Sequence, residues 1–416
     1  MRGKTIGACA VATAGLLLVA SRQISPVRAE DATHLAAPSE LVPASLFGMH
    51  IHHAGGTTAW PSVPVAEWRL WDARVAWPQI EPQRNQWDFR TLDAYLALAK
   101  EHNADVLLPL GLSPQWVSSR PGEKSAYQPG MAAEPNDNGA WRDYVTRVAT
   151  HCKGRVHTYE IWNEPNYKPF YTGDVDTMVN LTREAYQIIH RIDPEARVVS
   201  PSATTNTGVD WLSEFLSRGG SQYVDIVGYH FYGAPQPPEA MVPLIEKVHA
   251  AMADHGAGDK PLWNTESGWP SPKPFPSDDL GAAYLARAYI LNWAAGVQRF
   301  YWYAWDNHTW AALQTTAADS ETLTPAGRAY GIIQQWLVGT QMGSCAADSH
   351  QTWTCSLTRN HVPEWIVWNV TGDTLFSIPP DWRAANATPL LGSEYPLSGA
   401  TIEINQVPQL FTQKAN

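Results

Sequence analysis

Tyr159-Glu160-Ile161-Trp162-Asn163-Glu164-Pro165-Asn166 is a short apolar run that ends in an Asn-Glu pair and is stopped by proline. Proline has no N–H for a sheet ladder, so the strand must finish at the acid. Pro261-Leu262-Trp263-Asn264-Thr265-Glu266-Ser267-Gly268-Trp269 repeats the plan much later in the chain. Working outward, strand-like runs fall at Leu46 to His50, Trp68 to Trp71, Asp105 to Leu110, Thr158 to Trp162, Arg197 to Ser200, Asp225 to His230, Pro261 to Thr265 and Arg299 to Tyr303. Helical periodicity separates them at Thr91 to His102, Trp141 to His151, Val175 to Ile192, Trp211 to Arg218, Ala240 to His255, Asp279 to Ala295 and Pro325 to Val338. Strands alternating with helices predict a (β/α)8 TIM barrel of the α/β class. Thr57 to Glu67 carries two prolines and predicts a degenerate first connection.

In such a barrel the ends of strands 4 and 7 face each other across the mouth, where function resides. Glu164 and Glu266 are therefore candidate partners. Cleaving a glycosidic bond needs one protonated carboxyl for the leaving oxygen and one carboxylate for the anomeric carbon. Long loops expected on that face carry Trp116, Tyr127, Tyr167, Phe170, Tyr171, Trp269 and Trp310. Flat amphipathic rings suit the apolar face of a sugar.

These motifs resemble the glycoside hydrolases of clan A, most closely family 39 and within it the PslG-type exopolysaccharide hydrolases. The resemblance spans nearly all of the chain after residue 29 and is strongest at strands 2, 4 and 7. It implies a retaining hydrolase with Glu164 as acid/base and Glu266 as nucleophile, endo-acting on a bacterial exopolysaccharide. It implies that Arg69 pairs with the nucleophile and that Asn163 binds the sugar 2-hydroxyl. Tyr232 matches a position near the nucleophile, and His230, two residues earlier, shares its face. Trp302 and Trp305 are alternative platforms under the reacting sugar; His52 and Trp116 are further sugar-binding candidates. In this reading ionised Glu266 raises the pKa of Glu164, and Arg69 holds Glu266 ionised. Alternation puts Glu160 and Trp162 on the face of Glu164, with Glu160 a deeper structural carboxylate, and turns Asn264 inward with Glu266.

Two other classes are weighed. A non-catalytic glycan-binding barrel would keep the tryptophans but often lose a carboxylate; here both persist. A metal-dependent hydrolase could use His50 and His52, yet strand 5 ends Val198-Val199-Ser200-Pro201, without the histidine such a site would want. No cofactor or metal is assigned.

Composition bounds the rest. The 416 residues include 20 Trp and 16 Tyr, and the net charge is −11. Arg2 and Lys4, the apolar run Ile6 to Val19 and Val27-Arg28-Ala29 predict a signal peptide over residues 1–29, hence a secreted or periplasmic protein. Its removal would shift the charge to about −15. Such an acidic surface disfavours nucleic acid and anionic membranes and suits a neutral polysaccharide. The barrel is expected over 30–340 and a small all-β, sandwich-like domain over 341–416, to which the segment after the leader could add a strand. Cys345 and Cys355 flank a hairpin-like stretch and are a candidate disulfide, leaving Cys152 as a buried thiol.

Overall fold

The computed structural model describes residues 33–414; the leader lies outside the described residues. Eight parallel strands form the barrel: β1 (Phe47–Met49), β2 (Glu67–Arg69), β3 (Asp105–Leu110), β4 (Thr158–Ile161), β5 (Arg197–Val199), β6 (Val227–His230), β7 (Leu262–Ser267) and β8 (Val297–Trp302). Their order runs β5-β4-β3-β2-β1-β8-β7-β6. A Val199–Ile226 bridge joins β5 to the approach of β6, with Ser200 N donating to Ile226 O at 2.9 Å. The expected strands and helices are all present, shifted by a few residues at their ends, and no helix occupies the link between β1 and β2.

Inside the barrel Leu107, Val199, Ile226, Trp263 and Tyr301 pack together. A larger apolar layer lies between strands and helices. Helix starts carry side-chain caps: Asp174 accepts from Thr177 N, Ser277 from Leu280 N and Thr324 from Gly327 N. Helix Asp278–Ala294 is buried from Gly281 to Ala294 because it is covered on both sides.

The second cover is the β appendage. Its main sheet includes Gln341–Ala347, Thr352–Arg359, Val362–Asn369, Gln409–Gln413 and Ala384–Pro389. His34–Ala36 pairs antiparallel with Gln341–Ala347, so this segment sits in the second sheet and not in the barrel. A two-stranded sheet, Thr374–Ser377 with Thr401–Ile404, packs over it through Phe376, Ile404, Trp365 and Phe411. Cys345 and Cys355 are opposite one another on neighbouring strands and are disulfide-bonded, while Cys152 is a buried free thiol. Buried Arg287 grips Glu239 through two nitrogens, at 2.9 and 2.6 Å, and donates to Gln406 O; Trp368 Nε1 donates to the same Glu239 at 2.8 Å. This network locks the appendage to the barrel. No helix among the described residues is long and apolar enough to cross a membrane.

Candidate active site

The end of β4 leaves regular strand geometry. Trp162 and Glu164 have φ of 60° and 44°, a region that side chains seldom adopt. Such strain persists where surrounding structure imposes it. Here the Asn163–Ser202 bridge and the bond from Glu164 N to Ser202 O (2.9 Å) hold the turn. The left-handed residue also breaks alternation. Trp162 turns away from the mouth, packs on Tyr171 and donates to Phe170 O, contrary to the expectation that it shares the face of Glu164.

A β-bulge does the same on β7. The pairing with β8 slips between Asn264 and Ser267, so two successive residues, Thr265 and Glu266, both face inward. Thr265 Oγ1 donates to Ser202 Oγ, and Ser202 in turn donates to Glu160. Asn264 therefore points outward, bonded to Asn292 on the helix layer, and not inward as strict alternation predicts.

Glu164 and Glu266 converge. One oxygen of each, together with a ring nitrogen of His230, lies within a mutual 4.8 Å. They are 8 % and 7 % exposed, buried yet open to the mouth. Arg69 organises the floor. Its Nη1 donates to Glu266 Oε2 at 2.8 Å, its Nε to Glu160 Oε2 at 2.6 Å and its Nη2 to Asn163 Oδ1 at 2.7 Å. That last bond turns the Asn163 amide so that its NH2 group is available to a ligand. Tyr232 OH donates to Glu266 Oε1 at 2.7 Å, and His230 Nδ1 lies 2.9 Å from Glu164 Oε1. Arg69, Asn163, His230 and Tyr232 thus stand where the sequence placed them, and Glu160 is the deeper paired carboxylate.

Burial raises Glu164 to about 7, opposed by the Arg69 charge and a Thr204 bond and helped by Asp72. Desolvation is the largest cause, a contribution that joins the repulsion between Glu164 and Glu266 expected from the sequence. Burial also pushes Glu266 up, helped by the neighbouring Glu164, with His230, Arg69 and the Tyr232 hydroxyl pulling the other way. Glu266 faces an arginine and a tyrosine donor, and Glu164 a neutral imidazole, so Glu266 gives up its proton first. Burial lowers His230 to about 4, hence neutral near pH 7.

Trp302 and Trp305 do not form the platform. Trp302 is fully buried against Trp269, and Trp305 donates its indole N–H to Ser320 O. Alternation from Tyr301, which faces the barrel interior, sends Trp302 outward and Tyr303 inward. The Tyr303 ring lies 5.1 Å from both His50 and His52. Tyr303 is the aromatic of the mouth, a residue that the choice between two tryptophans missed.

Trp116 is also outside the site; it packs on Trp77 and donates to Glu81 O. His52 is buried beside Tyr303, and its loop is clasped by Asp306, which accepts from His52 N, His53 N and Thr58 Oγ1. Arg69 donates to His50 Nε2 at 3.0 Å, and His50 Nδ1 donates to Trp302 O at 3.2 Å. Both ring nitrogens are engaged, one by a guanidinium, so His50 and His52 are not arranged as a metal pair.

Two aromatic clusters flank the carboxylates. Trp71, Tyr127, Phe170 and Tyr167 stand on the β2–β4 side, and Tyr232, Tyr303 and Trp310 on the β6–β8 side. Tyr127, Tyr167 and Trp310 are exposed, whereas Tyr171 and Trp269 are buried.

The family model for glycosyl hydrolases family 39 matches residues 68–302. The chain belongs to glycosyl hydrolase family 39. It is 26% identical over 227 residues to a β-xylosidase of Geobacillus stearothermophilus, covering 48% of this chain and 44% of that one. A β-xylosidase of Caldicellulosiruptor saccharolyticus is 24% identical over 225 residues, covering 49% and 45%. The chain therefore matches a little under half the length of these curated relatives. Among solved structures, a family 39 glycoside hydrolase from Bacteroides cellulosilyticus WH2 superposes with TM-score 0.73 at 17% identity, covering 90% of this chain and 82% of that one. A family 39 β-xylosidase from Caulobacter crescentus gives TM-score 0.66 at 16% identity, covering 91% and 98%. These likenesses establish the barrel with an attached β domain.

Proposed function

We propose that this family 39 protein is a retaining glycoside hydrolase, with Glu164 as acid/base and Glu266 as nucleophile. The observation that carries the reading is the approach of the two carboxylates within 4.8 Å. Retaining enzymes use a separation of roughly 5–5.5 Å, whereas inverting enzymes need room for a water between the groups. Protonated Glu164 would donate to the leaving oxygen while Glu266 Oε1 or Oε2 bonds the anomeric carbon, releasing the aglycone and leaving a glycosyl ester. With Glu266 esterified, Glu164, now ionised, would take a proton from water; the water oxygen bonds the anomeric carbon and Glu266 leaves as carboxylate. In this reading the Asn163 NH2 group binds the 2-hydroxyl, a bond that strengthens in the transition state.

The substrate of this reading is a polysaccharide cut internally, such as a bacterial exopolysaccharide, by an exported enzyme. Support comes from the aromatic clusters on both flanks of the catalytic pair, which suit a chain running through the site, and from the leader-like composition of residues 1–29. The β-xylosidase relatives favour a second reading, removal of single xylose units from a chain end. Incubation with a panel of purified polysaccharides and β-xylo-oligosaccharides, with product sizing, separates the two. Internal cutting predicts an early spread of oligosaccharides, and release of only monosaccharide refutes it. Loss of all turnover in Glu164→Gln on substrates with poor leaving groups is expected; unchanged turnover would remove Glu164 from the mechanism.

A further inference from the structure

The amino end of the barrel, opposite the catalytic mouth, brings two arginines together. Arg197 on β5 and Arg299 on β8 each stand two residues before an inward-facing side chain, Val199 and Tyr301. Alternation therefore turns both into the barrel. Both meet one indole: the Arg299 guanidinium lies 4.1 Å and that of Arg197 5.3 Å from the Trp263 ring. Arg299 is neutralised by Glu67 Oε2 at 2.8 Å. Arg197 is different. Among the described residues no carboxylate oxygen comes within 4.0 Å of its guanidinium, and no acceptor takes a hydrogen bond from it. The nearby acids are engaged elsewhere or face solvent. Asp225 accepts from His190 Nε2 and Val198 N, and Glu40 and Asp105 are exposed. Burial and the Arg299 charge hold Arg197 below the ordinary arginine range. Two like charges against one buried ring are costly to assemble, and an anion between them would offset that cost.

The two arginines line a cavity of about 360 Å³ with Trp263, Trp293, Gln298 and Leu41. That is room for a small molecule. Arg197 offers its donors in a planar fork, which a carboxylate matches through two parallel bonds. The indoles are apolar walls. Leu41, 59 % exposed, is apolar surface that a bound molecule would cover. Glu40 also lines the cavity and Glu67 stands behind Arg299. These negative charges favour a monoanion over phosphate, which carries more charge.

We propose that this cavity is a binding site for a small organic carboxylate, whose charged end pairs with Arg197 and whose apolar or ring body lies against Trp263, Trp293 and Leu41. The site is separate from the catalytic pair, at the far end of the barrel.

The test is calorimetric titration with benzoate and D-glucuronate, with benzyl alcohol and D-glucose as neutral counterparts and inorganic phosphate as a compact anion. At least one carboxylate binds, about tenfold or more tighter than its neutral counterpart and than phosphate. Whichever of the two binds more tightly distinguishes an aromatic acid from a sugar acid. Arg197→Gln, which removes no hydrogen bond within the protein, weakens that ligand about tenfold or more and leaves kcat on an aryl β-xyloside within about twofold. Gln298→Glu, which adds a negative charge from an exposed position of the lining, also weakens it. The proposal is overturned if neither carboxylate binds, if the neutral counterparts or phosphate bind as tightly, or if Arg197→Gln leaves the affinity unchanged.

Discussion

Glu67 at the floor of the barrel and Glu266 at its mouth are built from the same parts. Each forms an ion pair with an arginine Nη1 at 2.8 Å, Arg299 for Glu67 and Arg69 for Glu266. Each takes a tyrosine hydroxyl, Tyr301 at 3.2 Å and Tyr232 at 2.7 Å. Burial raises both carboxyls, Glu67 to about 7. The difference is what lies beyond. Glu266 faces Glu164 under long loops at the carboxyl ends of the strands. Glu67 sits at the opposite end, where Arg299 is stacked 4.1 Å over Trp263. A perturbed carboxylate marks a structural ion pair as readily as a site. The chemistry requires the second acid and the open end of the barrel.

The sharpest way to break this comparison is to neutralise each acid in turn. Glu266→Gln should lower kcat on an aryl glycoside by about 10³-fold or more, the scale for a group that acts in the transition state. Glu67→Gln should leave kcat within about twofold, since it removes no group near the reacting atoms. Equal losses would show that the two ends are not functionally distinct.

The arginines should separate next. Arg69→Met strands Glu160 and Glu266 as buried charges and should destabilise by about 3–5 kcal/mol in denaturant unfolding. Arg299→Met leaves one carboxylate that is already readily protonated, and should cost about 1–3 kcal/mol.

The pH responses are smaller effects. Glu164 must be protonated to donate, and burial sets it at about 7. The ratio kcat/KM should therefore fall as pH rises through about 7, and Glu164→Gln should abolish that limb on substrates with activated leaving groups. For Glu67 the effect is on stability. Its folded pKa of about 7 exceeds its ordinary 4.5. Between those values the unfolded chain has released the proton and the folded protein has kept it. Stability thus falls with rising pH across that window, and Glu67→Gln should flatten the fall, an effect on the order of 1–3 kcal/mol.

The barrel was legible because strand and helix periodicities alternate cleanly from Phe47 to Leu337. The acids, Arg69, Asn163, His230 and Tyr232 were legible because each sits in a short motif at a strand end. What failed was side-chain direction. Left-handed Trp162 and the bulge at Thr265 and Glu266 both break the period of two, and neither leaves a mark in residue type. Tyr303 could have been found by continuing the alternation from Tyr301; the preference for tryptophan hid it.

The central claim is that Glu164 and Glu266 are close enough for the protein to attack the sugar directly. The most direct test is proton NMR of the sugar first released by hydrolysis of an aryl β-glycoside, recorded before mutarotation. The account predicts a β-anomer, formed by two successive inversions. An α-anomer would mean that water attacks in a single step, and would contradict it.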